Sequence, residues 1–274
     1  MSQVAAGAPA QVTIDGVQIE VTEIGAGRPL LLLHGMDGID PAAPWLQALA
    51  ASHRVIAPWQ PGFGHSERPA EFRTIADLAY FQLELAEHYD LQDAVLVGTS
   101  FGGWVAAEVA VRSTARFSQL VLVDPLGIKV GGPTERHIVD MHALSQDDLA
   151  AAMWHDASLG ERDYAAMDDH QLLGIARSRE SFTYYGWKPY MNNPGLRRWL
   201  RRIRIPALVV WGESDGILDR EYVEAFAAEL PDARLGTVPE AGHYPHLEQP
   251  ERFAALVGDF LRDTSAAAAS ATTI

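Results

Sequence analysis

The sequence predicts an α/β protein with a mainly parallel, doubly wound sheet, and three observations carry that expectation. Four short apolar runs, at residues 30–33, 95–97, 120–123 and 208–211, have strand length and end in loop signals. Apolar residues that run unbroken rather than alternating mark strands buried on both faces. Residues 75–89, 101–112, 221–230 and 250–262 instead space aliphatic and aromatic side chains three and four apart, as amphipathic helices do. The two patterns alternate along the chain, and such alternation builds a parallel sheet covered by helices on both sides.

Taken in order, residues 12–14 and 17–23 flank Asp15-Gly16, a dipeptide suited to a two-residue hairpin, and predict an antiparallel N-terminal edge. The run at 95–97 passes through Gly98-Thr99-Ser100-Phe101-Gly102-Gly103 into an alanine-rich helix. Between Asp124 and about Arg204 the alternation stops; the pattern there is helical, rich in Trp and Tyr, and without a convincing strand. The chain therefore divides into a core of residues 1–124 and 205–263 and a helical insertion of residues 125–204. Residues 234–238 read as the last strand. The tail at 264–274, TSAAAASATTI, has too few large side chains to offset the entropy of ordering and is expected to be disordered. The basic cluster Arg197, Arg198, Arg201, Arg202 and Arg204 reads as a solvated helix face. No repeat of solenoid or propeller period is present.

A chain of 274 residues, 48% hydrophobic and 21% charged, is long enough for one large domain with a smaller insertion. Its 21 basic and 36 acidic residues leave a net charge of -15, which argues against nucleic acid or an anionic membrane as partner. With no cysteine, disulfides, thiol catalysis and cysteine-ligated metals are excluded. The first ten residues have neither a basic n-region nor an apolar h-region, and no apolar run approaches membrane-spanning length, so a cytoplasmic protein is expected. Neither H-E-x-x-H nor H-x-H-x-D-H occurs, and the glycines of GAGRPLLLLHG precede the first buried strand rather than follow it. No metal and no cofactor are expected. Nothing in the sequence sets an oligomeric state.

A serine between Gly98 and Gly102 suits a tight turn as well as a nucleophile, so its placement matters more than its spacing. Directly between a buried strand and a helix, the pattern fits a nucleophile elbow, in which glycines let strand and helix approach around a strained serine. A serine hydroxyl then needs a general base, and the base needs an acid that fixes its tautomer. His243, in VPEAGHYPHLEQP, follows the last strand; Asp215, in LVVWGESDGIL, follows the run at 208–211. Both fall at the carboxyl edge that also presents Ser100. Asp124, directly after 120–123, ends a strand too and is an alternative acid.

GTSFGG, GESD and GHYPHLEQP, in that order and joined by His34-Gly35 and Pro61-Gly62-Phe63-Gly64-His65-Ser66, resemble the α/β-hydrolase fold superfamily over residues 17–262. The match is to its serine-nucleophile branch of esterases, lactonases and carbon–carbon hydrolases. The resemblance implies Ser100 as nucleophile, His243 as general base and then acid, Asp215 as orienting carboxylate, and the backbone N–H groups of Met36 and Phe101 as oxyanion hole. It also implies a helical cap over the active site, with His34 and His246 structural. The implied activity is hydrolysis of a small to medium hydrophobic carboxylic ester or lactone, acyl-homoserine-lactone-like substrates included. Alternatives are a hydrolase of carbon–carbon bonds in vinylogous diketones and a non-catalytic ligand receptor on the same scaffold. Haloalkane dehalogenases and epoxide hydrolases of this fold attack with Asp where this chain has Ser100. Trp154, Tyr184, Tyr185 and Trp187 of the insertion are expected to line an apolar substrate pocket.

Overall fold

The computed structural model describes residues 9–132 and 134–272, with side chains to 265. The chain opens with β1 (Ala10–Ile14) and β2 (Val17–Ile24), an antiparallel hairpin with Ile14 opposite Val17. Its turn is left-handed at Asp15 (φ 47°) and Gly16 (φ 80°), the conformation for which an Asp-Gly pair is suited. There follow β3 (Arg28–Leu33), α1 (Pro44–Ala50), β4 (His53–Pro58), α2 (Ile75–His88), β5 (Ala94–Thr99), α3 (Phe101–Arg112) and β6 (Phe117–Val123). A helical segment with α4 (Gln146–Met153), α5 (Asp169–Gly186) and α6 (Leu196–Trp199) comes next, and β7 (Ala207–Gly212), α7 (Arg220–Ala228), β8 (Ala233–Val238), α8 (Pro245–Glu248) and α9 (Pro250–Thr272) close the chain.

The eight strands form one sheet in the order β1-β2-β4-β3-β5-β6-β7-β8, parallel except where β2 pairs with β1 and β4. Alternate residues of each central strand enter different cores. Leu31, Leu33, Leu96 and Leu122 pack in the core that holds α2 and α3, while Leu30, Leu32, Val95, Val97 and Val121 pack in the one that holds α1 and α9. That double burial is why the strands read as unbroken apolar runs. The chain leaves β3 on one side toward β4 and returns on the other as β5, so the connection reverses at β3. Open α/β sheets bind ligands in the crevice outside the strand carboxyl ends at such a reversal.

Two elements lacked a sequence signal of their own. β4 begins with His53 and Arg54 and has only Val55, Ile56 and Ala57 as its buried apolar stretch, too short to mark a strand without its neighbours β2 and β3. α1 is a seven-residue helix opened by Pro44. The tail corrects the expectation of disorder, because α9 continues to Thr272. Alanine has the highest helix propensity and extends a helix already anchored by packing. Thr264 and Ser265 also bond the body of the protein, the latter accepting from Arg28 at 3.0 Å; residues 273–274 lie outside the described ones. Among the described residues no helix is long and apolar enough to cross a membrane. Of the arginine cluster, Arg197 pairs with Glu229 at 2.8 Å, and Arg198 stacks over the Trp199 ring.

His246, on α8, is buried between α1 and α9, edge-on to Trp45 at 4.9 Å and tilted on Phe253 at 5.8 Å between ring centres. Burial, and then the neighbouring His243, push its pKa down to about 3. The unfolded chain therefore binds a proton that the folded chain rejects. The associated stability is present above the ordinary histidine range near 6.5 and is lost as pH falls toward 3, by about 2 kcal/mol at pH 5. Urea unfolding at pH 7 and pH 5 should show this loss, and His246→Phe should shrink the difference by about that amount; an unchanged difference would contradict the assignment.

Candidate active site

Ser100 sits where β5 becomes α3, with φ 51° and ψ -115°, a left-handed backbone that a residue with a Cβ rarely adopts. The glycines on either side are required by close approach. A Cβ on Gly98 would lie 2.4 Å from the Gly102 carbonyl oxygen, and one on Gly102 would lie 2.1 Å from that of Leu33. The bend is held from outside: the Ser100 N–H donates to Val123 O at 2.7 Å, and the Ser100 carbonyl accepts from Leu126 N at 3.2 Å.

Asp215 and His243 reach the same edge from β7 and β8. His243 Nδ1 lies 2.8 Å from Asp215 Oδ2, and His243 Nε2 lies 2.8 Å from Ser100 Oγ. A carboxylate only accepts, so the ring proton sits on Nδ1 and Nε2 is left to accept from the serine hydroxyl. Asp215 Oδ1 accepts two further bonds, from Ile217 N at 2.7 Å and Leu218 N at 3.2 Å. The carboxylate is thus buried with its charge solvated by donors of the protein.

The loop after β3 supplies the other side. Gly35 packs against Ser100, its N–H donating to Thr99 Oγ1 at 3.0 Å, and brings the Met36 peptide alongside the nucleophile position. Met36 N–H makes no backbone hydrogen bond among the described residues, and Phe101, the first residue of α3, has an N–H without an intrahelical acceptor. His34 holds this loop: its Nε2 accepts from Gln60 N at 3.0 Å, and its Nδ1 donates to Gly35 O at 2.6 Å. Burial keeps the ring neutral, with its pKa pushed down to about 4.

The segment between β6 and β7 closes over this edge through main-chain and ionic contacts. His243 N–H donates to Met153 O at 2.7 Å. Arg162 bonds Asp37 at 2.7 Å, and Asp37 accepts the Tyr244 hydroxyl at 2.7 Å, so one carboxylate ties the segment to the neighbours of both Met36 and His243. Asp37 and Tyr244 were adjacent to motif residues in sequence, whereas Arg162 had no local signal. Two cavities of about 300 and 320 Å³ meet at Met36, Asp37, Arg162 and Arg179. The first is walled by Met141, Leu149, Met153, Trp154 and Phe182.

Of the expected pocket residues, Trp154 lines the first of these cavities, and Tyr184, Tyr185 and Trp187 do not. They line a separate cleft of about 420 Å³ with Arg73, Trp104 and Lys188. At 3.6 residues per turn, Arg179 and Phe182 share the face of α5 that meets the first cavity, and Tyr184 points about 200° away from Phe182; Tyr185 has its hydroxyl on Pro61 O at 3.3 Å, and Trp187 lies just past the end of the helix. The Phe101 side chain is fully buried against Phe63, Trp104 and Phe182. Asp124 lies beside Asp215, but His243 bonds Asp215. Among the described residues Asp124, Asp215 and His243 are the one grouping compact enough for a metal ion. Of their side-chain atoms, His243 Nδ1 and Asp215 Oδ2 are engaged with each other.

With this geometry in place, comparison with known proteins is informative. The pattern of the alpha/beta hydrolase family matches residues 30–256. The chain belongs to that family and is a hydrolase. It is 29% identical to a 2-hydroxymuconate semialdehyde hydrolase of Pseudomonas sp. (strain CF600), over 95% of this chain and 96% of the relative. A meta-cleavage product hydrolase from Pseudomonas fluorescens IP01 shares the fold with a TM-score of 0.75 at 21% identity, over 95% of this chain and 98% of the other. A thermophilic esterase from Thermogutta terrifontis does so with a TM-score of 0.74 at 23% identity, over 94% and 99%.

The elbow's dependence on close approach is directly testable. Gly102→Ala forces a Cβ onto the Leu33 carbonyl and should cost at least about 3 kcal/mol or prevent folding, because backbone on backbone leaves no rotamer to yield. Gly258→Ala, on α9 with only the mobile end of Arg262 nearby, should be neutral or stabilising by up to about 1 kcal/mol. Chemical denaturation of the two variants measures both; equal effects would remove the close-approach explanation.

Proposed function

We propose that the chain hydrolyses a small to medium hydrophobic carboxylic ester or lactone through an acyl-enzyme on Ser100. The observation that carries this reading is the continuous relay Ser100–His243–Asp215, with both hydrogen bonds at 2.8 Å. Ser100 Oγ attacks the carbonyl carbon as His243 Nε2 takes its proton, and Asp215 stabilises the imidazolium. Negative charge develops on the carbonyl oxygen between the N–H groups of Met36 and Phe101, where each donor is worth about 3 to 4 kcal/mol. His243 then gives its proton to the leaving alkoxide, which for a lactone is the far end of the same molecule. Water, deprotonated by His243, attacks the acyl-enzyme; the carboxylic acid departs and Ser100 recovers its proton.

The apolar wall of Met141, Leu149, Met153, Trp154 and Phe182 suits a hydrophobic arm of the substrate, in a volume at the lower end of small-molecule pockets. Ser100 is only 5% exposed, so the covering segment must shift for a carbonyl to reach it.

A second reading, cleavage of a carbon–carbon bond in a vinylogous diketone by the same three residues, is favoured by one feature of the cavity. Arg179 faces it with its guanidinium bonded to the Tyr164 hydroxyl at 2.6 Å rather than to a carboxylate. That leaves a positive charge for an acidic substrate, and relatives bear the name 2-hydroxymuconate semialdehyde hydrolase.

A fluorophosphonate should label Ser100, and Ser100→Ala or His243→Ala should lower kcat by several orders of magnitude, up to about 10⁶. Asp215→Asn should lower it by about 10⁴ through the wrong ring tautomer. Product-resolved turnover of short-chain esters, lactones and a vinylogous diketone, with Ser100→Ala as blank, discriminates the two readings. Absence of labelling would defeat both.

A further inference from the structure

A second carboxyl group stands directly behind the relay. Asp124 follows β6 with φ 41°, and its N–H continues the ladder to Val210 O at 2.9 Å. The side chain is fully buried and reaches the end of β7, where Oδ1 accepts the Gly212 N–H at 3.2 Å. That is the turn bearing Asp215, whose own N–H bonds Gly212 O at 2.9 Å. Oδ2 of Asp124 is buried without a hydrogen-bond partner when both carboxyls are counted as acceptors. Ligand atoms of Asp124, Asp215 and His243 lie within 4.8 Å of one another.

The charged or titratable groups that face Asp124 are Asp215 from the turn after β7, His243 from the loop after β8 and Glu248 from α8. Among the described residues no cation compensates the pair. Two adjacent buried carboxylates cannot both ionise, so they hold one proton between them. Asp215 has three donors: two backbone N–H groups and the imidazole. Asp124 has one, from Gly212, and Oδ2 without any. The charge belongs where the donors are, and the proton belongs on Asp124. Burial and the adjacent Asp215 act in the same direction, raising the Asp124 carboxyl well above the usual carboxylate range.

We propose that Asp124 stands in the folded protein as a neutral carboxylic acid whose Oδ2–H donates to the Asp215 carboxylate, making it a positioning residue for the relay. The proton location follows from burial and donor count alone; the positioning role rests on the Ser100–His243–Asp215 reading above. A neutral donor behind Asp215 leaves the carboxylate its full charge for His243 while closing the last direction in which it could turn.

Two measurements test this. Infrared difference spectra of wild type minus Asp124→Asn at pH 7 should contain the carbonyl stretch of a protonated carboxylic acid; a spectrum with only carboxylate bands overturns the proposal, whatever Ser100 does. The second reads the rate at which a fluorophosphonate labels Ser100. Asp124→Asn keeps a donor toward Asp215 and an acceptor for Gly212 N–H, and should label within about threefold of wild type, less than one hydrogen bond to a charged group is worth. Asp124→Leu, of similar size and without a donor, should label about 10- to 100-fold more slowly, the worth of such a bond. Loss of labelling in the Asn variant, or a Leu variant as fast as wild type, overturns the positioning role. Wild type that never labels, with the infrared band present, would instead defeat the relay reading and leave the proton where it is assigned here.

Discussion

The left-handed backbone at Ser100 is the constraint on which the site depends. Such a conformation costs about 1 to 3 kcal/mol and persists only where its surroundings leave no alternative. Here they leave none: Val123 at the end of β6 and Leu126 just beyond it hold the two peptide groups of the bend, and contacts too close for a Cβ at 98 and 102 hold α3 against β3 and β5. In return, the nucleophile position projects from the sheet edge with the first N–H of a helix beside it. A relaxed turn would supply neither.

The parallel sheet does the rest by placing every strand's carboxyl end on one edge. Loops from β3, β5, β6, β7 and β8, separated by up to 207 residues between Asp37 and Tyr244, meet there without any long-range element of their own. The helical segment between β6 and β7 is then fastened to this edge by Met153 on the His243 backbone and by Arg162 on Asp37, which in turn accepts the Tyr244 hydroxyl. Because Asp37 follows Met36 and Tyr244 follows His243, the position of that segment and the shape of the oxyanion loop are mechanically linked.

Electrostatics inside and outside the edge differ sharply. Most of the net charge of -15 is carried on the surface, where water screens it. At the edge, charge is rationed by donors: Asp215 keeps its charge against three of them, while His34 and His246 are neutral because burial gives a second proton no partner. Protonation states across the site thus follow from hydrogen-bond supply rather than from the ordinary affinity of each group.

Much of this was legible in the sequence because the governing interactions are local. Unbroken apolar runs report two-sided burial, Asp15-Gly16 reports its own turn, and Gly98, Ser100 and Gly102 report an elbow because a strand ends and a helix begins within six residues. Ser100, Asp215 and His243 could be ordered along the chain and assigned to one edge for the same reason. What only the tertiary structure decided depends on direction rather than position. Tyr184 is on the same helix as Phe182 yet lines a different cleft, since helix rotation is set by the packing of its apolar face. β4 had too few apolar residues to stand out and became a strand because β2 and β3 offered it two ladders. Between Asp215 and Asp124 the sequence favoured Asp215 only through the family resemblance, with Asp124 left as the alternative. Both end buried strands, and only the folded geometry gives one of them three donors, the imidazole among them, leaving the other to take the proton.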